Sequence, residues 1–164
     1  NILTQRMFFP QCAAEVTVDA GALKVGDHAG ICALQGCYGM AAVTRREDGF
    51  YVVMKGRRAA DDSMQALQED DLAGTEWEAV RIGQHSMVRL RIEADFAQMK
   101  DEARFFYYKG DGDGGTWQQI GAVQKLYFKM DHFAGCRFGL FVYATAQTGG
   151  RAGFSGFEYD MQTK

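Results

Sequence analysis

The stretch Met87-Val-Arg-Leu-Arg-Ile-Glu-Ala-Asp-Phe96 decides the fold class, because apolar and charged residues alternate along it without a break. Every second residue from Val88 to Phe96 is apolar, and the residues between them are Arg, Arg, Glu and Asp. A period of two places the apolar side chains on one face of a β-strand and the charged side chains on the other. The pattern predicts a strand with one face in a core and one face in water.

The same alternation recurs in three other stretches, which are Ala14–Ala20, Leu126–Met130 and Cys136–Ala144. Turn sequences lie between the predicted strands. Asp48-Gly49 is a strong hairpin signal between two apolar runs, and the glycine-rich stretch Gly110–Gly115 lies between two more. These turns predict antiparallel neighbours along the chain.

Only two stretches, Ala60–Asp71 and Met130–Ala134, have patterns compatible with short helices, and both patterns are weak. We count about ten to twelve short strands at close spacing, which is typical of an antiparallel sandwich. The presence of 20 Gly and one Pro among 164 residues fits a chain with many tight turns. We predict an all-β chain in which two antiparallel sheets form a β-sandwich, as a single domain over residues 1–164.

Composition excludes two classes of partner. The formal net charge is −3, and the longest basic clusters, Arg45-Arg46 and Arg57-Arg58, have acidic neighbours. We therefore predict no nucleic acid as a partner, because phosphate backbones need a basic surface. No apolar run approaches the roughly 18 residues of a membrane-spanning helix, so we also predict no membrane partner. The chain starts with Asn1 rather than Met, and we expect it to be a segment of a longer protein.

Four cysteines bear on the cellular compartment: Cys12, Cys32, Cys37 and Cys136. Each lies in or beside an apolar strand-like run, and no C-x-x-C motif indicates zinc. We predict buried free thiols, with disulfides as the alternative. Free thiols slightly favour a cytoplasmic location over secretion.

Acidic residues in the glycine-rich turn raise the question of calcium. Asp111 and Asp113 have the spacing that begins an EF-hand loop, but the twelfth position, Ala122, carries no acid. That loop type is excluded, and a looser structural calcium site at these two residues stays open as an alternative. The sequence predicts no other cofactor.

No catalytic constellation emerges from the residue spacing. The three histidines, His28, His85 and His132, lack the spacing of a metal site, and Ser155 lacks the final glycine of a nucleophile elbow. A pair of glycosidase carboxylates cannot be selected from 21 acidic residues by spacing alone. We therefore predict no catalytic residue in this chain.

Aromatic residues on the polar face of a predicted strand are more informative. Phe141 and Tyr143 lie on the face opposite Phe138 and Leu140, so both faces of that strand are predicted to be covered. One interpretation is a central strand or an interface between domains. The other is a platform on which sugar rings stack. The sugar-binding or interface candidates are Tyr38, Tyr51, Trp77, Trp117, His132, Arg137 and Tyr143.

Longer runs carry a resemblance to a known family. They are Leu3–Arg6, Ala29–Gly36, Tyr38-Gly39, Phe50–Met54, Val88–Ile92, Ala103–Tyr108, His132–Thr145, Thr148–Gly150 and Phe154–Phe157. In this order, over nearly the whole chain, they resemble the C-terminal β-sandwich of glycoside hydrolase family 43 (GH43). That family includes β-xylosidases and α-arabinofuranosidases of xylan degradation.

The resemblance implies a concanavalin A-like sandwich of the jelly-roll type. In the family this module packs on a β-propeller of the same polypeptide, which holds the catalytic carboxylates, so no catalytic residue is carried over to this chain. We expect a non-catalytic domain that braces the propeller and shapes its sugar pocket. The alternative is an independent module that binds xylan or xylo-oligosaccharides.

Members of this family carry strand sequence upstream of the run that corresponds to Leu3–Arg6, and this chain begins almost at that run. We therefore expect one or two N-terminal strands to be missing and the sheet edges to be exposed. Exposed edges would make the isolated domain self-associate.

Overall fold

The computed structural model describes residues 1–35, 37–57, 74–110, 112–126 and 135–162. These residues form twelve strands: β1 (Ile2–Arg6), β2 (Gln11–Asp19), β3 (His28–Gln35), β4 (Cys37–Arg46), β5 (Gly49–Arg57), β6 (Thr75–Gly83), β7 (Met87–Asp95), β8 (Glu102–Lys109), β9 (Thr116–Gln119), β10 (Gln124–Lys125), β11 (Arg137–Tyr143) and β12 (Gly153–Gln162). Within the same ranges, the helical segments are two 3₁₀ turns, Ala97–Met99 and Gly112–Gly114. The all-β prediction is confirmed.

The strands form two antiparallel sheets. Sheet A has the order β1-β11-β3-β4-β5-β6, and sheet B has the order β10-β8-β7-β2-β12 with β9 beside β8. The chain crosses between the sheets several times, so strands far apart in sequence become neighbours. This arrangement confirms the predicted concanavalin A-like β-sandwich.

The alternating stretch that predicted the fold lies in the middle of sheet B. From Val88 to Phe96, the apolar side chains of β7 and of the residue that follows it are at most 7% exposed and join the core between the sheets. The charged residues of the stretch lie on the outer face of sheet B, where Glu15 of β2 pairs with Arg89 and Arg91. The solvent-facing and core-facing residues of β7 are those that the period of two predicted.

Both predicted turns join antiparallel neighbours. Glu47 and Asp48 connect β4 to β5, with Arg46 paired to Gly49 at the start of β5, and Gly49 has a φ of 137°, which glycine adopts without strain. The Gly110–Gly115 stretch connects β8 to β9, with Lys109 paired to Thr116. The turn sequences therefore determine the register of the β4–β5 and β8–β9 pairs locally.

Other predictions need correction or lie outside the described residues. The strand predicted over Cys136–Ala144 ends at Tyr143, and Ala144 is exposed because it lies beyond the paired residues. Most of the predicted strand Leu126–Met130, and both candidate helices at 60–71 and 130–134, lie outside the described residues. In that region β10 is a short strand that ends at Lys125.

All four cysteines are buried and free, as predicted. Burial raises the pKa of Cys32 and of Cys136 to about 12, so both thiols stay protonated at neutral pH. Within the described ranges, no helix has the length and apolar character needed to cross a membrane.

Candidate functional site

The outward side of sheet A carries a second apolar cluster, separate from the core between the sheets. We call this surface the sheet A outer face. Its buried members are Cys32, Met40, Ala42, Val53 and Phe141, and its partly buried members are Leu34, Tyr38, Tyr51 and Tyr143. The outer face of a sandwich sheet is usually polar, since it meets water. An apolar cluster on the outer face of a sheet indicates a surface that packs against another domain, protein or ligand.

Small side chains occupy the middle of this face. Gly30 is the register partner of Phe141 on one side and of Ala42 on the other. In the adjacent row, Cys32 pairs with Gly139 of β11. Small residues of β3 and β4 therefore lie beside Phe141 in the row of Gly30.

Aromatic rings of β11 stack on one another and on His28 of β3 at this face. Tyr143 stacks on His28 with 4.9 Å between centroids, and on Phe141 with 5.8 Å between centroids. The Tyr143 hydroxyl contacts Met40 Sδ at 4.0 Å. His28 Nδ1 lies 3.0 Å from the Gly26 carbonyl oxygen, which holds the imidazole in place. These contacts fix the rings before any partner arrives.

The electrostatics of the face favour neutral rings. Burial raises the pKa of Tyr143 to about 12, and burial also raises the pKa of Tyr38. Burial lowers the pKa of His28, and the nearby Lys55 ammonium lowers it further. At neutral pH the face therefore presents uncharged rings with polar tips rather than a charged surface.

Charged residues surround the face near β5 and β6. Arg46 pairs with Glu76 at 2.8 Å and lies over the Tyr51 ring at 4.3 Å. The Tyr51 hydroxyl donates to Asp48 Oδ2 at 2.8 Å, and Arg81 Nε lies 3.3 Å from the same carboxylate oxygen. An apolar centre with a polar rim is the usual anatomy of an interface between proteins or domains.

The outer face of sheet B has a different character. Arg89 and Arg91 both reach the Glu15 carboxylate, at 2.9 and 3.0 Å. The Arg89 guanidinium lies 4.6 Å from the Tyr108 ring centroid and 5.3 Å from that of Trp117. Charged groups and their own partners thus occupy this face, which is typical of a surface that meets water.

The structure brings together four of the seven candidate residues. Tyr38, Tyr51 and Tyr143 belong to the sheet A outer face, and Arg137 joins them on β11, where its guanidinium donates to Thr4 Oγ1 at 3.3 Å. His28 belongs to this group as well. Sequence reasoning gave it no role, because the signal is its register with Tyr143, which no local pattern contains.

The remaining candidates lie elsewhere. Trp117 is on the outer face of sheet B, on the opposite side of the sandwich. Trp77 packs against the core between the sheets and is not a member of the sheet A outer face. His132 and Asp111 lie outside the described residues, as does the side chain of Asp113. Among the described residues, no group of three or more His, Cys, Asp or Glu side chains could hold a metal ion.

The fold and this face define a concanavalin A-like β-sandwich module with one apolar outer surface. The family model of the β-xylosidase C-terminal concanavalin A-like domain matches residues 1–160. The chain therefore belongs to this family, the C-terminal module of GH43 enzymes, as the sequence motifs predicted.

Solved structures agree with this assignment. A bifunctional GH43-CE protein of Bacteroides eggerthii is 34% identical with a TM-score of 0.82, and the match covers 100% of this chain. An engineered GH43 glycoside hydrolase with endo-xylanase and exo-arabinofuranosidase activity is 23% identical over 98% of this chain, with a TM-score of 0.77. The xylan β-1,4-xylosidase of Bacillus halodurans C-125 has the same fold at 15% identity over 98% of this chain, with a TM-score of 0.72.

This chain spans only part of each of those proteins. It covers 19% of the Bacteroides chain, 31% of the engineered hydrolase and 29% of the xylosidase. The matched module is thus one portion of longer GH43 chains. No curated protein matches the sequence of this chain.

Proposed function

We propose that this chain is the non-catalytic accessory domain of a GH43 enzyme of the xylosidase and arabinofuranosidase group. In this role it braces the catalytic propeller of the same polypeptide and shapes the rim of its sugar pocket. The similar xylosidase and the engineered hydrolase, both named for action on xylan-type substrates, support this substrate class.

The observation that carries the proposal is the apolar cluster on the sheet A outer face. Phe141 and Met40 at its centre are each 7% exposed. The tyrosine rings of the cluster are only partly buried, so they keep area that a second domain can cover. Sheet B has no comparable cluster among its described residues, since its outer face is occupied by ion pairs. The proposal therefore assigns sheet A as the side that packs against the catalytic domain, where burial of apolar area stabilises the contact.

A pair of matched substitutions tests the assignment in the full-length enzyme. Tyr38→Ser removes a partly buried ring from the sheet A outer face, and Trp117→Ser removes a partly buried ring from the outer face of sheet B. We expect Tyr38→Ser to lower the unfolding temperature of the catalytic domain and its hydrolysis of aryl xylosides or aryl arabinofuranosides. The Trp117→Ser variant is expected to change neither.

The same substitutions in the isolated chain measure how much each one destabilises the sandwich itself. This loss is subtracted from the change measured in the full-length enzyme. If both variants affect the catalytic domain equally, the assignment of sheet A is wrong. If neither does, the bracing role is wrong.

A second candidate function is an independent module that binds xylo-oligosaccharides. The specific observation in its favour is that three tyrosines and Arg137 share one face, because rings stack on pyranose faces and guanidinium groups donate to sugar hydroxyls. Titration of the isolated chain with xylo-oligosaccharides, followed by tyrosine and tryptophan fluorescence, distinguishes the two functions. Saturable quenching that cello-oligosaccharides do not produce, and that Tyr143→Ser abolishes, would establish this second function; no response at millimolar sugar would favour bracing.

A further inference from the structure

A cleft opens at the corner where the chain leaves sheet A for sheet B. Its volume is about 310 Å³, and it lies between the end of β6, the start of β7 and the end of β8. The His85 amide donates to the Ile82 carbonyl oxygen at 3.3 Å, which forms the tight turn between β6 and β7. Because the two strands belong to different sheets at this corner, the sandwich stays open there.

One wall of the cleft is apolar. Val88 and Tyr107, which are 7% and 8% exposed, belong to the core and form the inner part of this wall. Met87 lies at the mouth and is 64% exposed, although it has a long apolar side chain. The cleft thus offers a flat ligand an apolar surface that water covers poorly.

Apart from the tyrosine residues Tyr107 and Tyr108, the polar side chains of the cleft are basic. Arg81, His85 and Lys109 line it, and none of its described lining residues is acidic. Arg81 is already engaged by Asp48, with Nε 3.3 Å from Oδ2. Within the described residues, neither Lys109 nor His85 is paired with a carboxylate. A basic group beside an apolar wall, which no acid among the described residues neutralises, selects an anion that also has an apolar body.

The volume limits the size of that ligand. A cleft of about 310 Å³ is near the lower end of small-molecule pockets. It accommodates one six-membered ring with a short substituent. The Tyr108 ring at the edge of the cleft has a defined position, because the Arg89 guanidinium lies 4.6 Å from its centroid and Trp117 makes an edge-on contact with 5.3 Å between ring centroids.

We propose that this cleft binds a small organic carboxylate whose ring packs against Met87 and Val88 and whose carboxylate pairs with Lys109. The ring is that of an aromatic acid or of a uronic acid, since both combine a flat or apolar ring face with a carboxylate. The site uses no member of the apolar sheet A outer face, although Arg81 also belongs to the charged rim of that face. The residues that the test changes, Met87 and Lys109, belong to neither the face nor its rim, so the proposal is tested independently of the accessory role.

Calorimetric titration of the isolated chain with matched ligands tests the proposal. Benzoate carries the ring and the charge, benzamide carries the ring alone, and glucuronate carries the charge on a sugar ring. We expect benzoate, glucuronate or both to bind, and benzamide to bind about tenfold more weakly than benzoate, because loss of one charge-assisted pair has about this effect. Tighter binding of benzoate identifies an aromatic acid, and tighter binding of glucuronate identifies a uronic acid.

Three substitutions separate the contributions of the Lys109 charge, the apolar Met87 side chain and the overall charge of the chain to binding. Lys109→Gln is expected to weaken the binding of the carboxylate ligands and to leave benzamide unchanged. Met87→Ser is expected to weaken the binding of benzoate and benzamide alike. Arg151→Gln removes an exposed positive charge that does not line the cleft and is expected to change nothing.

The proposal is overturned if neither carboxylate binds at millimolar concentration, or if benzoate and benzamide bind equally. It is also overturned if Arg151→Gln weakens binding as much as Lys109→Gln, because the attraction would then come from overall charge. Met87 and Lys109 are both exposed, so these variants are expected to fold; thermal unfolding of each variant confirms that they do.

Discussion

The rings of His28 and Tyr143 lie parallel, with 4.9 Å between their centroids and 1° between their planes. The two residues are register partners on β3 and β11, so the stack crosses the strand pair at one end of the sheet A outer face. Strand pairing, rather than any local motif, thus places an imidazole against a phenol. Burial of this stack makes the free energy of unfolding depend on pH.

Burial lowers the pKa of His28 from its ordinary value of about 6.5. Between the folded pKa and about pH 6.5, the unfolded chain binds a proton that the folded chain does not, so the free energy of unfolding falls as the pH falls through this window. We expect His28→Gln to lose less stability than the wild type between about pH 7 and about pH 5. Urea unfolding across this range measures the difference, and parallel pH profiles for the two proteins would contradict it.

Gly39 of β4 lies against the core at a point that leaves no room for a methyl group. An added Cβ would lie 2.5 Å from Phe105 Cζ, and Phe105 is fully buried and cannot move away. We expect Gly39→Ala to lower the free energy of unfolding by about 1–3 kcal/mol, which is typical of overpacking. In the control Gly153→Ala, the nearest atom would be Asp19 Cβ at 3.5 Å, an ordinary contact. Chemical denaturation compares the two, and equal losses would show that the Phe105 contact is not the cause.

Glu15 organises the outer face of sheet B. Its side chain is 12% exposed and accepts hydrogen bonds from Arg89 and Arg91. We expect Glu15→Gln to cost about 1–3 kcal/mol of stability, because two guanidinium groups lose a poorly hydrated charged partner. Glu93→Gln is the matched control, since Glu93 also pairs with Arg91 but is 48% exposed, and an exposed pair contributes about 0–1 kcal/mol.

The measurement for this pair is thermal unfolding together with tryptophan emission. Glu15 holds Arg89 over the Trp117 ring, so only Glu15→Gln is expected to change the emission spectrum. An unchanged spectrum in that variant would mean that the Arg89 position does not depend on Glu15.

The β1 strand lies at an edge of sheet A, and two apolar residues on it are exposed. Leu3 is 73% exposed and Ile2 is 50% exposed. Exposed apolar edge strands pair with other chains, so we expect the isolated chain to associate as its concentration rises. Leu3→Lys should suppress this association, whereas Val25→Lys, a change at another exposed apolar residue, should not. Sedimentation velocity over a concentration series measures the effect, and a monomer at every concentration would contradict the prediction.

The local sequence determined the fold class and the family. Alternation from Val88 to Phe96 predicted a half-buried strand, and Asp48-Gly49 predicted a hairpin; both are confirmed. These features are predictable because a period of two and a two-residue turn depend only on neighbouring residues. The same reasoning predicted that both faces of β11 are covered, and Phe141 is indeed buried.

Tertiary structure alone decided which of the candidate residues share a surface. Tyr143 shares a face with Tyr38 and Tyr51 because β11 pairs with β3, a strand about a hundred residues earlier in the chain. Trp77 and Trp117 look alike in the sequence, but one packs on the core and the other lies on the outer face of sheet B. Strand order and register depend on packing between distant segments, so no local pattern contains them. The sequence by itself therefore determined that this protein is a GH43-type sandwich, and the pairing of distant strands decided where its aromatic face and its basic cleft lie.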